Sequence, residues 1–217
     1  NEKEGDVQKR IIMQEAMLQV TFRSKKYKNW LFYLIEWLSK QEVNQVDPSS
    51  MSAYLDKWIL EYFNSLTEKT KPAESTSWQF EALGTNTPHF VFNFIDYLYW
   101  VASKRSKGNV RYVDEVSDFN FKYYNSIEHH LPQSYKDTGN VNIDNIGNLC
   151  LISREKNSSL NAKAPKEKAK LEPGLQPKRK IMYRITHDSE GMWGEKQIME
   201  HYKDIKELLE QRDSILL

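Results

Sequence analysis

The chain has 217 residues, enough for one large domain or two small ones with a real core. Trp, Tyr and Phe make up 12% of it, too much for a disordered segment, and no apolar run nears the ~20 residues that span a bilayer. Net charge is +1, which by itself points to no partner.

The start, Asn1-Glu2-Lys3-Glu4, has neither an initiator Met nor a charged-then-apolar signal peptide, so the chain reads as a piece of a longer protein. Cys150 is the one thiol, which excludes an internal disulfide and a cysteine-built structural zinc site. A reducing cytoplasm fits this usage, and no membrane partner is expected.

The first half reads as helices. Asp6 can cap a helix to about Arg23, with Ile11, Ile12, Ala16, Met17 and Val20 on its apolar side. Residues 27–40 are apolar on nearly every side. Asp47-Pro48 then offers a cap followed by proline at the first helical position. From Met51 to Leu66 the apolar residues keep the three-and-four spacing of one buried face. Residues 67–87 are polar and broken by Lys71-Pro72 and Gly84, so a long connection is expected. Residues 88–102 are apolar all round and suit a helix at the centre of a bundle. These aromatics belong to a core more readily than to a base-stacking platform. A border between the halves is expected at 104–108, giving a helical subdomain over 1–113 and a second subdomain over 114–217.

The second half changes character. Residues 119–124 have strand-like aromatics and lead to Glu128-His129. A polar loop comes next at 136–140. Leu149-Cys150-Leu151-Ile152 has strand length, and Ser153 can cap a brief helix bearing Asn157. Pro165, Pro173 and Pro177 break up the segment after that helix, and a final amphipathic helix is expected over about 193–216. Between Arg154 and Arg184 lie ten basic and three acidic residues, +7 in a chain of total +1, so the remainder is −6. Alone, such a stretch reads as a solvated lysine-rich loop. Directly after a candidate site, it is also where a polyanion would lie.

Residues 126–163 hold the groups with chemistry in them. Hydrolysing a phosphodiester needs an in-line nucleophile, neutralisation of charge on the phosphoryl oxygens, and stabilisation of the leaving oxygen. An imidazole such as that of His129 is suited to activating water near neutral pH. A carboxylate (Glu128) and an amide oxygen (Asn157) suit a hard divalent cation, with water and substrate filling its other positions. His89, His187 and His201 lack any such pattern and read as surface or helix-face residues. Cys150, inside an apolar run, reads as a core thiol.

The order Ile127-Glu128-His129-His130-Leu131-Pro132-Gln133-Ser134, then Ile143-Asp144-Asn145-Ile146-Gly147-Asn148-Leu149, then Lys156-Asn157, resembles the HNH (His-Me finger) nucleases. Within them it is most similar to the C-terminal nuclease domain of GmrSD-type restriction enzymes. The resemblance covers roughly residues 119–170. It implies an α+β, mostly helical fold, with a ββα-metal core (a β-hairpin followed by a helix) and a helical bundle around it. It implies His129 as general base, Glu128 and Asn157 as ligands of one Mg²⁺ or Mn²⁺ ion, and Asn148 as the residue that fixes the loop and orients His129. Lys163 matches a family lysine facing phosphate, with Arg154, Lys156 and Lys166 as further candidate contacts to DNA. Asn157 stands where other members have histidine, Glu128 where many have aspartate, and His130 where an aliphatic residue is usual. An N-terminal NTPase-type domain of the same protein is the implied partner. The expected activity is nicking or cutting DNA in a bacterial anti-phage restriction system. A non-catalytic nucleic-acid-binding module and an RNA endonuclease remain the alternatives.

Overall fold

The Asp47-Pro48 pair opens the longest helix as expected: the Asp47 carboxylate accepts from the Ser50 backbone N–H and hydroxyl, both at 3.0 Å. The computed structural model describes residues 4–24, 28–42, 46–70, 83–105, 111–112, 116, 118–138, 142–160 and 162–217. Among the described residues the first half has four α-helices: α1 (Glu4–Thr21), α2 (Asn29–Ser39), α3 (Pro48–Thr70) and α4 (His89–Arg105). α1 packs on α3 and α4. α4 is buried without a break from Phe90 to Ala102, as its all-round apolar sequence requires. α2 buries only Trp30 and Leu34 and leaves Phe32 65% and Ile35 57% exposed.

The second half carries one antiparallel pair, β1 (Ser126–His129) and β2 (Leu149–Ile152), in which Glu128 faces Cys150 and His129 faces Leu149. Among the described residues five α-helices come after it: α5 (Arg154–Leu160), α6 (Pro165–Lys168), α7 (Pro177–Asp188), α8 (Glu195–Glu210) and α9 (Arg212–Leu216). The molecule is thus α+β and mostly helical. β2 is buried throughout and packs on α4 and α7, while α4 also meets α8 and α9. One buried apolar cluster therefore runs from Met13 to Leu216 across both halves. Asp96 of α4 ties them further by accepting the Lys178 backbone N–H at 2.7 Å, which satisfies an open donor in the first turn of α7. Burial raises the Asp96 carboxyl to about 7.

Several expectations need correction. Residues 119–124 form no strand, because β2 is four residues long and offers ladder partners only to Ser126–His129. Phe119 and Phe121 instead pack edge to face, 4.8 Å apart. Pro165 and Pro177 do not merely break the chain. Each opens a helix at its first position, where a missing N–H costs nothing. The C-terminal helix is two helices separated at Gln211. α3 extends to Thr70, into the expected connection, of which residues 71–82 lie outside the described residues. So do the 113/114 boundary, positions 106–108 of the expected border and positions 139–140 of the polar loop. No helix among the described residues is long and apolar enough to cross a membrane.

Candidate active site

Two strands of four residues cannot fix a 19-residue excursion between His129 and Leu149 by ladder bonds alone, and buried side chains complete the work. Asn148 is fully buried. Its Oδ1 accepts from the Leu131 N–H (2.8 Å) and the Trp193 indole N–H (2.9 Å), and its Nδ2 donates to the carbonyls of Leu131 (3.1 Å) and Ile143 (2.8 Å). All four hydrogen-bonding positions of the amide are satisfied. Lys178, also buried, donates through Nζ to the carbonyls of Ile146 (2.7 Å) and Leu149. Burial lowers its ammonium to about 8. His201 donates from Nδ1 to the Gly147 carbonyl at 2.8 Å. Gly147 lies so close to α8 that an added Cβ would sit 2.3 Å from the Ile198 carbonyl oxygen. The Gly-Asn-Leu stretch is thus clamped between α7 and α8.

This scaffold presents Glu128, His129 and Asn157 in the wall of one cleft of about 340 Å³, together with Thr85, Pro132 and Ala162. Adjacent strand residues point to opposite faces, and accordingly Glu128 and His129 have different partners. The Glu128 carboxylate accepts through Oε1 from Lys168 Nζ at 2.6 Å; the same ammonium donates to the His129 carbonyl at 2.7 Å. Lys168 is almost wholly buried. His129 donates from Nε2 to Asp144 Oδ1 at 2.8 Å. Asn157, in the first turn of α5, donates from Nδ2 to the Ser126 hydroxyl, leaving Oδ1 as the atom its amide can offer a cation.

The remaining expected residues are more dispersed. Asn148 bonds the loop and has no hydrogen bond to His129; it holds the next two residues, accepting the His130 N–H at its backbone carbonyl (2.9 Å) and bonding Leu131 through its side chain. Arg154 is exposed at the start of α5, with its backbone N–H on Asn125 Oδ1 at 3.1 Å. Lys163 is exposed beside cleft residue Ala162. Lys156 is paired with Glu172 at 2.7 Å. The stem of Lys166 runs along Gly191, which its lack of a Cβ permits. The basic segment is not one outward-facing track, since Lys168, Lys178 and Arg179 are interior. Burial of the cations at 168 and 178 is made tolerable by carboxylate or carbonyl acceptors.

His130 is an interior residue: Nε2 donates to Thr186 Oγ1 (2.7 Å), whose hydroxyl donates to the Met182 carbonyl. Burial, with Lys168 and Lys178 nearby, lowers its imidazole to about 3. His201, expected at a surface or helix face, lies on the buried face of α8, with its imidazole held well below the usual range by burial. Cys150 is buried and its thiol raised to about 11, so it is inert at neutral pH. Asp144 and Lys168 carry no distinguishing spacing in the sequence. Asp144 lies between Ile143 and Asn145 with no role that its position alone suggests, and Lys168 is one more lysine in a basic run.

Comparison with known proteins adds one match. Residues 82–208, more than half of the chain, match the family model described as GmrSD restriction endonucleases, C-terminal domain. Neither the curated proteins nor the solved structures contain a match.

Proposed function

The chain belongs to the family of GmrSD restriction endonuclease C-terminal domains, and from that premise we propose that it is an HNH-type, metal-dependent endonuclease hydrolysing phosphodiester bonds of DNA. The observation that carries this reading is the shared cleft: an imidazole, a carboxylate and an amide from β1 and α5 line one cavity. In this reading β1, β2 and α5 are the ββα-metal core.

His129 is the general base, taking a proton from the attacking water. Glu128 and Asn157 are the cation ligands. The cleft wall offers a carboxylate oxygen from Glu128 and an amide oxygen from Asn157, the donor type that a hard cation keeping water and phosphate ligands takes. The residues fit such an ion. Among the described residues only Lys168 bonds the Glu128 carboxylate, through Oε1, so Oε2 stays available while the ammonium fixes the side chain. A bound Mg²⁺ or Mn²⁺ would neutralise charge on the scissile phosphate and its leaving oxygen. Asn148 keeps the strand-to-loop junction in place. Lys163 and Arg154, exposed near the cleft wall, contact phosphates on either side of the cut, with Lys156 and Lys166 as outer contacts.

The same reading makes the chain the effector part of a bacterial anti-phage restriction system in the cytoplasm, working beside an NTPase-type domain of the same protein. Its support is family membership. The test is plasmid cleavage. With Mg²⁺ or Mn²⁺ the protein converts supercoiled plasmid to open circles, EDTA stops it, and His129→Ala abolishes it. Equal residual cleavage by wild type and His129→Ala sinks the proposal. One active site attacks one strand, so open circles precede linear DNA.

A further inference from the structure

We propose that Asp144 is a positioning residue for His129, fixing both the plane of its ring and the nitrogen that carries its proton. The inference rests on the reading of His129 as general base and adds the atom at which the base works. Asp144 Oδ1 lies 2.8 Å from His129 Nε2. An ionised carboxylate only accepts hydrogen bonds, so the nitrogen facing it must carry hydrogen. A neutral imidazole has one N–H, and the other nitrogen, Nδ1, is therefore the lone pair. Among the described residues no side chain or backbone group bonds Nδ1. Water activation is assigned to that atom.

Position in the fold separates this pair from an incidental surface contact. The His129 side chain is 9% exposed and that of Asp144 36%, so the bond is shielded on the imidazole side. Asp144 is held from two directions. Its backbone N–H donates to Asn142 Oδ1 at 3.2 Å. Its side chain is backed by the 3-10 turn Gly84–Asn86, where an added Cβ on Gly84 would lie 3.1 Å from Asp144 Cβ and 3.5 Å from Cγ. Gly84 has φ +52°, a conformation that favours glycine. Thr85 of that turn lines the cleft. The turn preceding α4 thus lies directly against Asp144, and the helical half contributes to the surroundings of the base. Lys168 performs the parallel task for Glu128, so each of the two neighbouring groups has its own anchor.

The experiment compares Asp144→Asn, Asp144→Glu and Asp144→Ala in the whole chain, with thermal melts to confirm folding. Three readouts are taken, the last being the Mg²⁺ concentration for half-maximal rate. The first is the first-order nicking constant on supercoiled plasmid at saturating Mg²⁺. The second is long-range ¹H–¹⁵N correlation of the histidine rings at pH 8, with the His129 signal identified by its loss in His129→Ala. The wild-type ring is expected with its proton on Nε2. Asp144→Asn, which can donate to Nε2 and favour the other tautomer, is expected to move it toward Nδ1 and slow nicking by about 100-fold or more. Asp144→Glu should recover part of the rate. The Mg²⁺ concentration for half-maximal rate should stay within about twofold, since Glu128 and Asn157 are intact. A wild-type nicking constant in Asp144→Asn, or a wild-type ring protonated on Nδ1, overturns the assignment while leaving His129 as base. Unimpaired nicking by His129→Ala instead removes the base itself, and the positioning role with it.

Discussion

Between Glu4 and Arg105 the interior is built from helix faces: Phe63, Phe90 and Phe94 pack ring to ring, and its few buried polar groups include Arg10, which bonds Asp56, Tyr97 and the Leu216 carbonyl. Between Ser126 and Glu210 the interior also holds Asn148, Lys168, Lys178, His130 and His201, most of them bonded to backbone carbonyls or N–H groups. The difference arises from element length. A helix satisfies its own backbone, whereas a four-residue hairpin with a long loop leaves buried carbonyls and N–H groups that side chains must meet. Both halves share one apolar interior; the second adds completed hydrogen bonds around a cleft.

The largest effect that would sharpen this contrast is Asn148→Ala. It leaves four buried groups unpaired, at about 1–3 kcal/mol each, so a loss of roughly 5 kcal/mol and of all nicking is expected in urea denaturation and plasmid assays. A melt like the wild type would break the comparison. Phe94→Ala should cost about 4 kcal/mol through its cavity while each folded molecule keeps its nicking rate. Loss of rate at low temperature would show that the halves are not separable in this way. Lys168→Met removes the ammonium that the largely buried Glu128 carboxylate and the His129 carbonyl accept from and should cost about 3 kcal/mol, read as a lower urea midpoint. Asn157→Ala removes one amide oxygen and should raise the Mg²⁺ concentration for half-maximal nicking about tenfold, or ~1.4 kcal/mol, with little change in melting temperature.

The smallest effect concerns pH. The His130 imidazole is held down at about 3 by burial. Above pH 6.5 its ring is neutral folded and unfolded alike. As pH falls below that, the unfolded chain takes up the proton and the folded chain does not, so stability declines toward about pH 3. The slope is roughly 1.4 kcal/mol per pH unit. Asp56 and Asp96, raised by burial to about 6 and 7, oppose this trend across the same range. The difference between wild type and His130→Asn isolates it. The wild type should lose roughly 1.4 kcal/mol more than the variant between pH 6 and 5. Parallel urea curves at both pH values would contradict an interior neutral His130.

The halves also differ in how far the sequence revealed them. α3 could be read directly from a cap, a first-position proline and the spacing of Met51 to Leu66, and α4 from a run that is apolar all round. The hairpin strand at Leu149–Ile152 and the helix bearing Asn157 were legible because an apolar run and a serine cap are local signals. The expected strand over 119–124 failed since strand propensity does not supply a partner. α7 was obscured by reading Pro177 only as a breaker. Of the site, Glu128, His129 and Asn157 stood out through their spacing, while Asp144 and Lys168 did not.

The sequence by itself determined the four long N-terminal helices and named the acid, imidazole and amide of the candidate site, because periodicity, caps and motif spacing are properties of neighbouring residues. Only the tertiary structure decided that Lys168 lies against Glu128 across 40 positions and Asp144 against His129 across 15. It also decided that His130 and His201 are interior. A charge carries no mark of its partner in the sequence; whether a lysine meets water or a buried carboxylate depends on the path of the loops between them.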